Sequence, residues 1–285
     1  MLLCCSLSSE ICVKNCTDIV RHVFSFPIII LLANDFMISL FRGLLFQTYF
    51  LILTFIMGIG GLFLRLFRLK KAGLRYAQAW SSAVLWGFKI FCGVKLEISG
   101  LENIPKTAAL IAPQHQSFFD GFIWMILLKN PAYIIKKELV SIPLVGPMLV
   151  LSGMLPIDRS AGAKSIRLLQ KTVQDSWEKE RQVIIFPQGT RTDPGEKIPP
   201  QKGIIALSRI AETQQIPLIP VAINSGLFWP KSGISKHKGV LKIVIGKSLS
   251  FEEMSQKALP DILEKSWENL EVKSGITNTY SPLCR

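Results

Sequence analysis

Residues 108–128, "AALIAPQHQSFFDGFIWMILL", contain the pattern that decides the fold. The first five residues are small and apolar, which is typical of a buried β-strand. The polar turn "PQHQS" follows, and in residues 119–128 the apolar side chains recur at helical spacing. A short strand that leads directly into a helix is the repeating unit of an α/β sheet.

The same alternation continues to the C-terminus. Six further short runs have the apolar, β-rich character of strands: residues 95–99, 132–135, 154–157, 182–186, 218–223 and 240–245. Helical spacing recurs in three other segments: residues 163–179, 203–212 and 251–272. We therefore expect residues 73–285 to form one α/β domain, with a central, mostly buried β-sheet flanked by helices. The Pro- and Gly-rich residues 192–203 are predicted to form a surface loop.

An apolar segment precedes this domain. Residues 43–64, "GLLFQTYFLILTFIMGIGGLFL", carry no charge and lie between Arg42 and Arg65. About 20 apolar residues span the hydrocarbon core of a bilayer as a helix. We expect residues 37–72 to form a membrane-associated helical segment, which either spans the bilayer or enters one leaflet as part of a helix pair; a buried core helix is the alternative. Residues 1–36 are a poorly defined extension, and translation starts at Met1 or at Met37.

The charge of the chain predicts an anionic partner. Its 285 residues include 33 Lys and Arg but 20 Asp and Glu, which gives a net charge of +13. Five basic residues follow the apolar segment: Arg65, Arg68, Lys70, Lys71 and Arg75. The positive-inside tendency places them, and the domain after them, on the cytoplasmic face of a membrane of the bacterial inner-membrane type. Anionic membrane lipids are the expected partner, because no interleaved aromatic and basic motif predicts binding to nucleic acid.

The six cysteines predict neither a metal site nor a disulfide framework. Four of them lie in the first sixteen residues, none forms a C-x-x-C pair, and no histidine has zinc-finger spacing. We expect reduced thiols, and no metal or organic cofactor is implied.

His115 and Asp120 are the first candidates for chemistry. Imidazole titrates near pH ~6.5 and accepts a proton at physiological pH. A carboxylate on its other nitrogen fixes the tautomer and stabilises the imidazolium. Since the sequence has no G-x-S-x-G nucleophile motif, this base would activate a hydroxyl of the substrate. A structural histidine beside an apolar helix is the alternative.

A second candidate site lies in residues 183–191, "VIIFPQGTR", where a buried strand ends in a turn. Gly189 allows backbone amides to approach an oxyanion, Thr190 offers a hydroxyl, and Arg191 binds phosphate through two parallel hydrogen bonds. Lys136 and Arg159 bring further cations to the ends of apolar segments. The alternatives are an ordinary turn and a solvated basic edge.

These motifs together resemble one family. "HQSFFD" (115–120) matches the H-x4-D motif of glycerolipid acyltransferases, and "FPQGTR" (186–191) matches their F-P-E-G-T-R motif with one change. "KKELVSIPLVG", "IDRS" and "IPVAIN" follow the order and spacing of the remaining blocks. Over roughly residues 74–249 the chain resembles the PlsC-like 1-acyl-glycerol-3-phosphate acyltransferases, whose glycerolipid acyltransferase fold is the expected one.

The resemblance implies transfer of an acyl group from acyl-ACP or acyl-CoA to the sn-2 hydroxyl of lysophosphatidic acid, which forms phosphatidic acid in phospholipid synthesis. His115 would be the general base and Asp120 would orient it, with no acyl-enzyme. The acceptor would bind to Gln188, Gly189, Thr190 and Arg191, with Lys136 and Arg159 as further phosphate contacts.

Gln188 departs from the family pattern, which has Glu at this position. Glutamine keeps the shape and a carbonyl acceptor but loses the negative charge. The acceptor therefore stays open: another lyso-lipid is an alternative substrate. A membrane-bound lipid-binding protein without activity is a further alternative, although the presence of both His115 and Asp120 argues against it.

Overall fold

A seven-stranded β-sheet forms the centre of the molecule in the computed structural model, which describes residues 8–158 and 162–276. Its strands are β1 (Val94–Ser99), β2 (Ala109–Pro113), β3 (Pro131–Lys136), β4 (Leu155–Ile157), β5 (Gln182–Ile184), β6 (Leu218–Ile223) and β7 (Gly239–Ile245). Their order across the sheet is β1-β7-β6-β2-β5-β3-β4. All seven correspond to runs that the sequence predicts as strands, with shifts of one or two residues at their ends.

The pairing pattern determines which loops meet. Strand β2 lies between β6 and β5 and is parallel to both, with Leu110 opposite Leu218 and Ile111 opposite Ile184. Strand β6 pairs antiparallel with β7, whereas the other described pairings are parallel. Because parallel strands end at the same edge of a sheet, the segments that follow β2, β5 and β6 lie side by side.

Helices cover both faces of the sheet. One face packs against α1 (Ser8–Leu66), α2 (Gly73–Cys92), α3 (Asp120–Leu127) and α4 (Val145–Leu151), and the other against α5 (Gly162–Trp177), α6 (Gly203–Thr213), α7 (Phe251–Ser255) and α8 (Leu259–Ser274). Successive residues of β2 alternate between the two hydrophobic clusters, with Ile111 in the first and Leu110 in the second. The predicted α/β class, with a buried sheet between helices, is confirmed.

One prediction about helices is wrong. Residues 251–272 form α7 and α8 rather than one helix: Ser250 and Glu253 form a capping box at the start of α7, and the backbone is extended at Gln256. Helix α8 then begins at Leu259, with Pro260 in its first turn, because proline has no N–H to donate to the carbonyl of residue 256 and fits only this part of a helix. The sequence reasoning also omits α2 and α4.

Helix α1 continues through the predicted boundary between residues 36 and 37. Among the described residues, one helix is long and apolar enough to cross a membrane, and it comprises Asp35–Leu66. This part of α1 packs along α2, and two half-buried tyrosines form hydrogen bonds between the helices. The Tyr49 hydroxyl donates to the carbonyl of Ala83 and the Tyr76 hydroxyl to the carbonyl of Met57, both at 2.8 Å.

The outer surface of α1 carries many exposed apolar side chains. Those more than half exposed are Phe36, Met37, Phe41, Leu51, Ile52, Phe55, Ile56, Phe63 and Leu66. Trp86 and Ile90 of α2 are also more than half exposed. A contiguous apolar surface of this extent is typical of a membrane or protein interface.

A second contact joins α1 to the domain through residues 224–238, here named the β6–β7 connection. The Lys236 N–H donates to the carbonyl of Ser39 at 3.1 Å. Gly43 lies so close to this connection that a Cβ would come within 2.0 Å of the Ile234 carbonyl oxygen. The ring of Trp229 meets Phe46 edge-on, with centroids 4.8 Å apart. The connection therefore holds α1 by hydrogen bonding, close backbone approach and aromatic packing.

Trp267 of α8 supports the central strand, because its buried indole N–H donates to the carbonyl of Ala112 in β2 at 3.0 Å. Trp267→Phe keeps most of the packing but removes the indole hydrogen bond to this carbonyl. We expect the free energy of unfolding to fall by about 1–3 kcal/mol in urea titrations in detergent. The control Trp86→Phe changes an exposed tryptophan and should alter stability by less than about 0.5 kcal/mol. Equal losses in both variants would contradict the role of this hydrogen bond.

Candidate active site

Three strand ends assemble the site. His115 follows β2 by two residues, Gln188 follows β5 by four, and Ser225 follows β6 by two. Since these three strands are adjacent and parallel, the segments after them meet at one edge of the sheet. Ligands of α/β proteins usually bind at the carboxyl ends of the strands.

His115 and Asp120 form the predicted pair. The Nδ1 atom of His115 lies 3.0 Å from Oδ2 of Asp120. The His115 side chain is 21% exposed, whereas that of Asp120 is fully buried. A carboxylate at Nδ1 holds the proton on that nitrogen, which leaves the lone pair of Nε2 free to accept a proton.

Four hydrogen bonds surround the Asp120 carboxylate. Besides its contact with His115, Oδ2 accepts the backbone N–H groups of Gln116 at 2.7 Å and Ser117 at 2.9 Å. The Ser225 hydroxyl donates to Oδ1 at 2.6 Å. Asp120 is also the first residue of α3, where the helix dipole favours a negative charge. The cost of burying this charge is thereby offset before any substrate binds.

An aromatic ring covers one face of the imidazole. The His115 ring stacks on Phe186, with centroids 4.0 Å apart and planes inclined by 18°. Phe186 in turn lies 6.2 Å from the ring of Tyr133. Burial, with a smaller contribution from the Asp120 charge, raises the pKa of Tyr133 well above its usual range. Tyr133 is therefore a neutral part of an apolar wall, and electrostatic interactions are stronger beside such a wall than in water.

The backbone of His115 is held from the β5 side. Its N–H donates to Oε1 of Gln188 at 2.8 Å. Its carbonyl accepts the backbone N–H of Thr192 at 2.8 Å and the Thr192 hydroxyl at 3.2 Å. Both Gln188 and Thr192 are buried. The glutamine carbonyl thus has a partner in the His115 loop, while the prediction that Gln188 binds substrate stays untested.

The residues after Gln188 form the predicted turn. Gly189 has φ +73°, a left-handed conformation that favours glycine. Thr190 is exposed, and the guanidinium carbon of Arg191 lies 4.3 Å from the ring centroid of Phe118. The Nη1 atom of Arg191 is buried and has no hydrogen-bond partner among the described residues. A buried guanidinium nitrogen in this state is suited to bind an anion.

Of the two other predicted cations, Lys136 lies on a strand that is not adjacent to β2. Lys136 ends β3, which β5 separates from β2; its side chain is 56% exposed and lies 3.6 Å from the Glu138 carboxylate. Arg159 lies outside the described residues. The roles of both in phosphate binding stay predictions.

Sequence reasoning missed several residues that support the pair: Gln116, Phe186, Thr192 and Ser225. The Gln116 side-chain carbonyl accepts the N–H of Gly226 at 3.1 Å, which ties the His115 loop to the β6–β7 connection. Ser225 directly follows the block "IPVAIN". A polar residue after a buried strand was an available signal, but its meaning depends on which strands are neighbours.

Comparisons with known proteins agree with this geometry. Residues 95–224 match the family model described as "Acyltransferase". A 1-acyl-sn-glycerol-3-phosphate acyltransferase of Pseudomonas aeruginosa is 31% identical over 189 residues, which cover 66% of this chain and 72% of the relative. The protein of the same name from Saccharomyces cerevisiae is 30% identical over 182 residues, or 62% of this chain and 59% of the relative.

The fold also matches a solved structure. The crystal structure of the 1-acyl-sn-glycerophosphate (LPA) acyltransferase PlsC from Thermotoga maritima superposes with a TM-score of 0.62, covering 85% of this chain and 97% of that chain. Its sequence identity is 18%, so this match concerns the fold alone. From the family model and the bacterial relative together, we conclude that the chain belongs to the PlsC-like acyltransferase family, as its motifs predict.

Proposed function

We propose that this acyltransferase transfers a fatty acyl group from acyl-CoA or acyl-ACP to the sn-2 hydroxyl of 1-acyl-glycerol-3-phosphate, which yields phosphatidic acid for phospholipid synthesis. The observation that carries the proposal is the His115–Asp120 pair, whose atoms are 3.0 Å apart at the carboxyl edge of the sheet. The unpartnered guanidinium nitrogen of Arg191 on the neighbouring turn supports a phosphate-bearing acceptor. The names of the relatives from P. aeruginosa and S. cerevisiae describe the same acceptor.

In the proposed reaction, the acceptor oxygen attacks the thioester carbonyl carbon while its proton passes to Nε2 of His115. Asp120 stabilises the imidazolium that forms. The tetrahedral intermediate then collapses, the carbon–sulfur bond breaks, and the leaving thiolate takes the proton from the imidazolium. Direct attack agrees with the state of Ser117, the hydroxyl nearest to His115 in sequence. It is fully buried, and its Oγ accepts the N–H of Phe119 at 3.1 Å.

Arg191 is the proposed anchor of the acceptor phosphate. Its guanidinium group is planar and matches phosphate oxygens with two parallel hydrogen bonds. The guanidinium carbon lies 4.3 Å from the centroid of the Phe118 ring, and this cation–π contact holds the group beside the His115 loop. Lys136 at the end of β3 is a secondary phosphate contact in this proposal. Gly189 and Thr190 form the turn that directly precedes Arg191.

The proposed location of the enzyme is a membrane surface. Both acyl chains of the product partition into lipid, and the exposed apolar surface of α1 supports attachment there. Arg65, Arg68, Lys71 and Arg75 follow this surface. Near an anionic membrane each basic residue contributes about 1 kcal/mol of attraction. We place the α/β domain on the cytoplasmic face, at a bacterial-type inner membrane, because of this positive charge.

His115→Ala tests the general base. We expect acyl transfer to lysophosphatidic acid to fall by about 10²–10⁴-fold, because proton removal from the hydroxyl loses its acceptor. Purified protein in mixed micelles would be assayed with lysophosphatidic acid and a panel of other lyso-lipids, each with acyl-CoA and acyl-ACP. The control His237→Ala removes an exposed imidazole on the β6–β7 connection and should keep the wild-type rate. An active His115→Ala variant would remove His115 from the mechanism.

Arg191→Ala and Gln188→Glu separate acceptor binding from support of the His115 loop. Arg191→Ala should raise the KM for lysophosphatidic acid by about 10- to 100-fold, since a charge-assisted hydrogen bond is lost. Gln188→Glu keeps an oxygen that accepts the His115 N–H and should stay active. Steady-state kinetics with varied acceptor concentration give both values. An unchanged KM in Arg191→Ala would exclude it from the phosphate site.

Vesicle flotation tests the membrane proposal. Wild-type protein should float with vesicles of zwitterionic lipid and more completely with vesicles that also contain anionic lipid. Replacing Arg65, Arg68, Lys71 and Arg75 by Gln should remove the difference between the two vesicle types, because the charge term is lost and the apolar surface is kept. Wild-type protein that remains at the bottom of both gradients would refute membrane attachment.

A further inference from the structure

Ser225 joins the catalytic pair to a distant part of the chain. Its hydroxyl donates to Oδ1 of Asp120 at 2.6 Å, and both residues are fully buried. Ser225 lies 105 positions after Asp120 and opens the short 3-10 turn Ser225–Leu227 at the end of β6. Because the hydroxyl is buried and directed at Asp120, Ser225 is placed to act through the carboxylate rather than on the substrate.

The two oxygens of Asp120 have separate donors. Oδ2 faces Nδ1 of His115 and the N–H groups of Gln116 and Ser117, while Oδ1 faces Ser225. The torsion that rotates a carboxylate about its Cβ–Cγ bond is broad, so donors on both oxygens are needed to define its plane. Without the Ser225 hydroxyl, Oδ1 would be a buried charged acceptor lacking this donor. Rotation of the carboxylate would relieve that cost and would move Oδ2 away from His115.

Contacts around Ser225 fix the position of the hydroxyl. The backbone carbonyl of Ser225 accepts the N–H groups of Phe228 at 3.1 Å and Trp229 at 3.0 Å. On one side, Oδ1 of Asn224 accepts the N–H of Lys242 in β7 at 2.7 Å. On the other side, the N–H of Gly226 donates to Gln116. Ser225 is therefore held by the sheet and by the same loop that contains His115.

From this geometry we propose that Ser225 is a positioning residue of the acyl transfer: its hydroxyl fixes the plane of the Asp120 carboxylate and thereby the orientation of His115. The inference rests on the proposed function of the His115–Asp120 pair. It adds Ser225, which follows β6, as a third residue to that pair. Acceptor and donor binding do not depend on this hydroxyl.

Kinetics of Ser225 variants test the inference. Ser225→Ala and Ser225→Cys should lower kcat roughly 10-fold, because alanine lacks the donor and a thiol is a weak one, while both KM values stay near those of the wild type. Ser225→Thr keeps the hydroxyl and should restore most of kcat. The matched control is Ser208→Ala, which removes another fully buried serine hydroxyl, bonded to the carbonyls of Ile205 and Met254. It should reduce stability without reducing kcat per folded molecule.

A spectroscopic measurement makes the result independent of the substrate. The proton on Nδ1 of His115, shared with Asp120, should give a downfield proton resonance in the wild type and in Ser208→Ala. It should be absent from His115→Ala and shifted or lost in Ser225→Ala and Ser225→Cys. Circular dichroism reports the folded fraction of each variant.

The outcomes separate the two proposals. Wild-type kcat in Ser225→Cys or Ser225→Ala, together with an unchanged resonance, overturns the role of Ser225. A rise in KM with unchanged kcat does the same, because it would indicate a binding role. If the wild type acylates no lyso-lipid, the proposed function fails, whereas the resonance in the variants still decides whether Ser225 positions the pair.

Discussion

Burial of one negative charge constrains the site more than any other feature. The Asp120 carboxylate is removed from water, and an ionised group in that position is costly by several kcal/mol unless donors surround it. Its donors come from its own turn, from His115 and from the end of β6. The parallel pairing of β2 with β6 is what brings these segments together. The orientation of the imidazole follows from the same arrangement, since Nδ1 is one of the four donors.

The other neighbours of His115 hold its ring and its backbone in place. Phe186 lies against one face of the ring, and Gln188 and Thr192 hold the backbone on either side of it. All three residues lie in the segment that follows β5. The loop that carries His115 is therefore fixed from both neighbouring strands. For the proposed role of His115 as a general base, this orientation would leave little reorganisation during proton transfer.

Sequence patterns predict individual strands and helices well, but they do not predict which elements are neighbours in the fold. Apolar runs locate all seven strands, and helical spacing locates α3, α5 and α6 close to their observed ends. The periodicity of residues 251–272 continues past Pro260, which hides the break between α7 and α8. In α4, Gly146 and Pro147 weaken the helical signal. Pro147 is the third residue of α4 and fits its first turn, whereas Gly146 lowers the helix propensity.

The candidate site likewise contains residues that a local motif identifies and residues whose partners depend on the fold. His115, Asp120 and Arg191 belong to short motifs, so the sequence identifies them directly. The partners of Gln188 and Ser225 depend on the strand order β6-β2-β5, in which neighbours are about 70 to 110 residues apart along the chain. No local sequence pattern specifies that strand order, so these contacts follow only from the folded structure.

The β6–β7 connection touches Asp120 at its beginning and α1 at its end. Between these points it is braced by Trp229, whose ring also meets Phe50, Phe88 and Phe122. The apolar helix α1 and the Asp120 carboxylate are thus joined by one packed segment. A fragment that lacks α1 would lose the contacts that hold the end of this segment, at Ile234 and Lys236. Under the proposed membrane attachment, a change in the tilt of α1 would act on the segment that holds the Asp120 carboxylate.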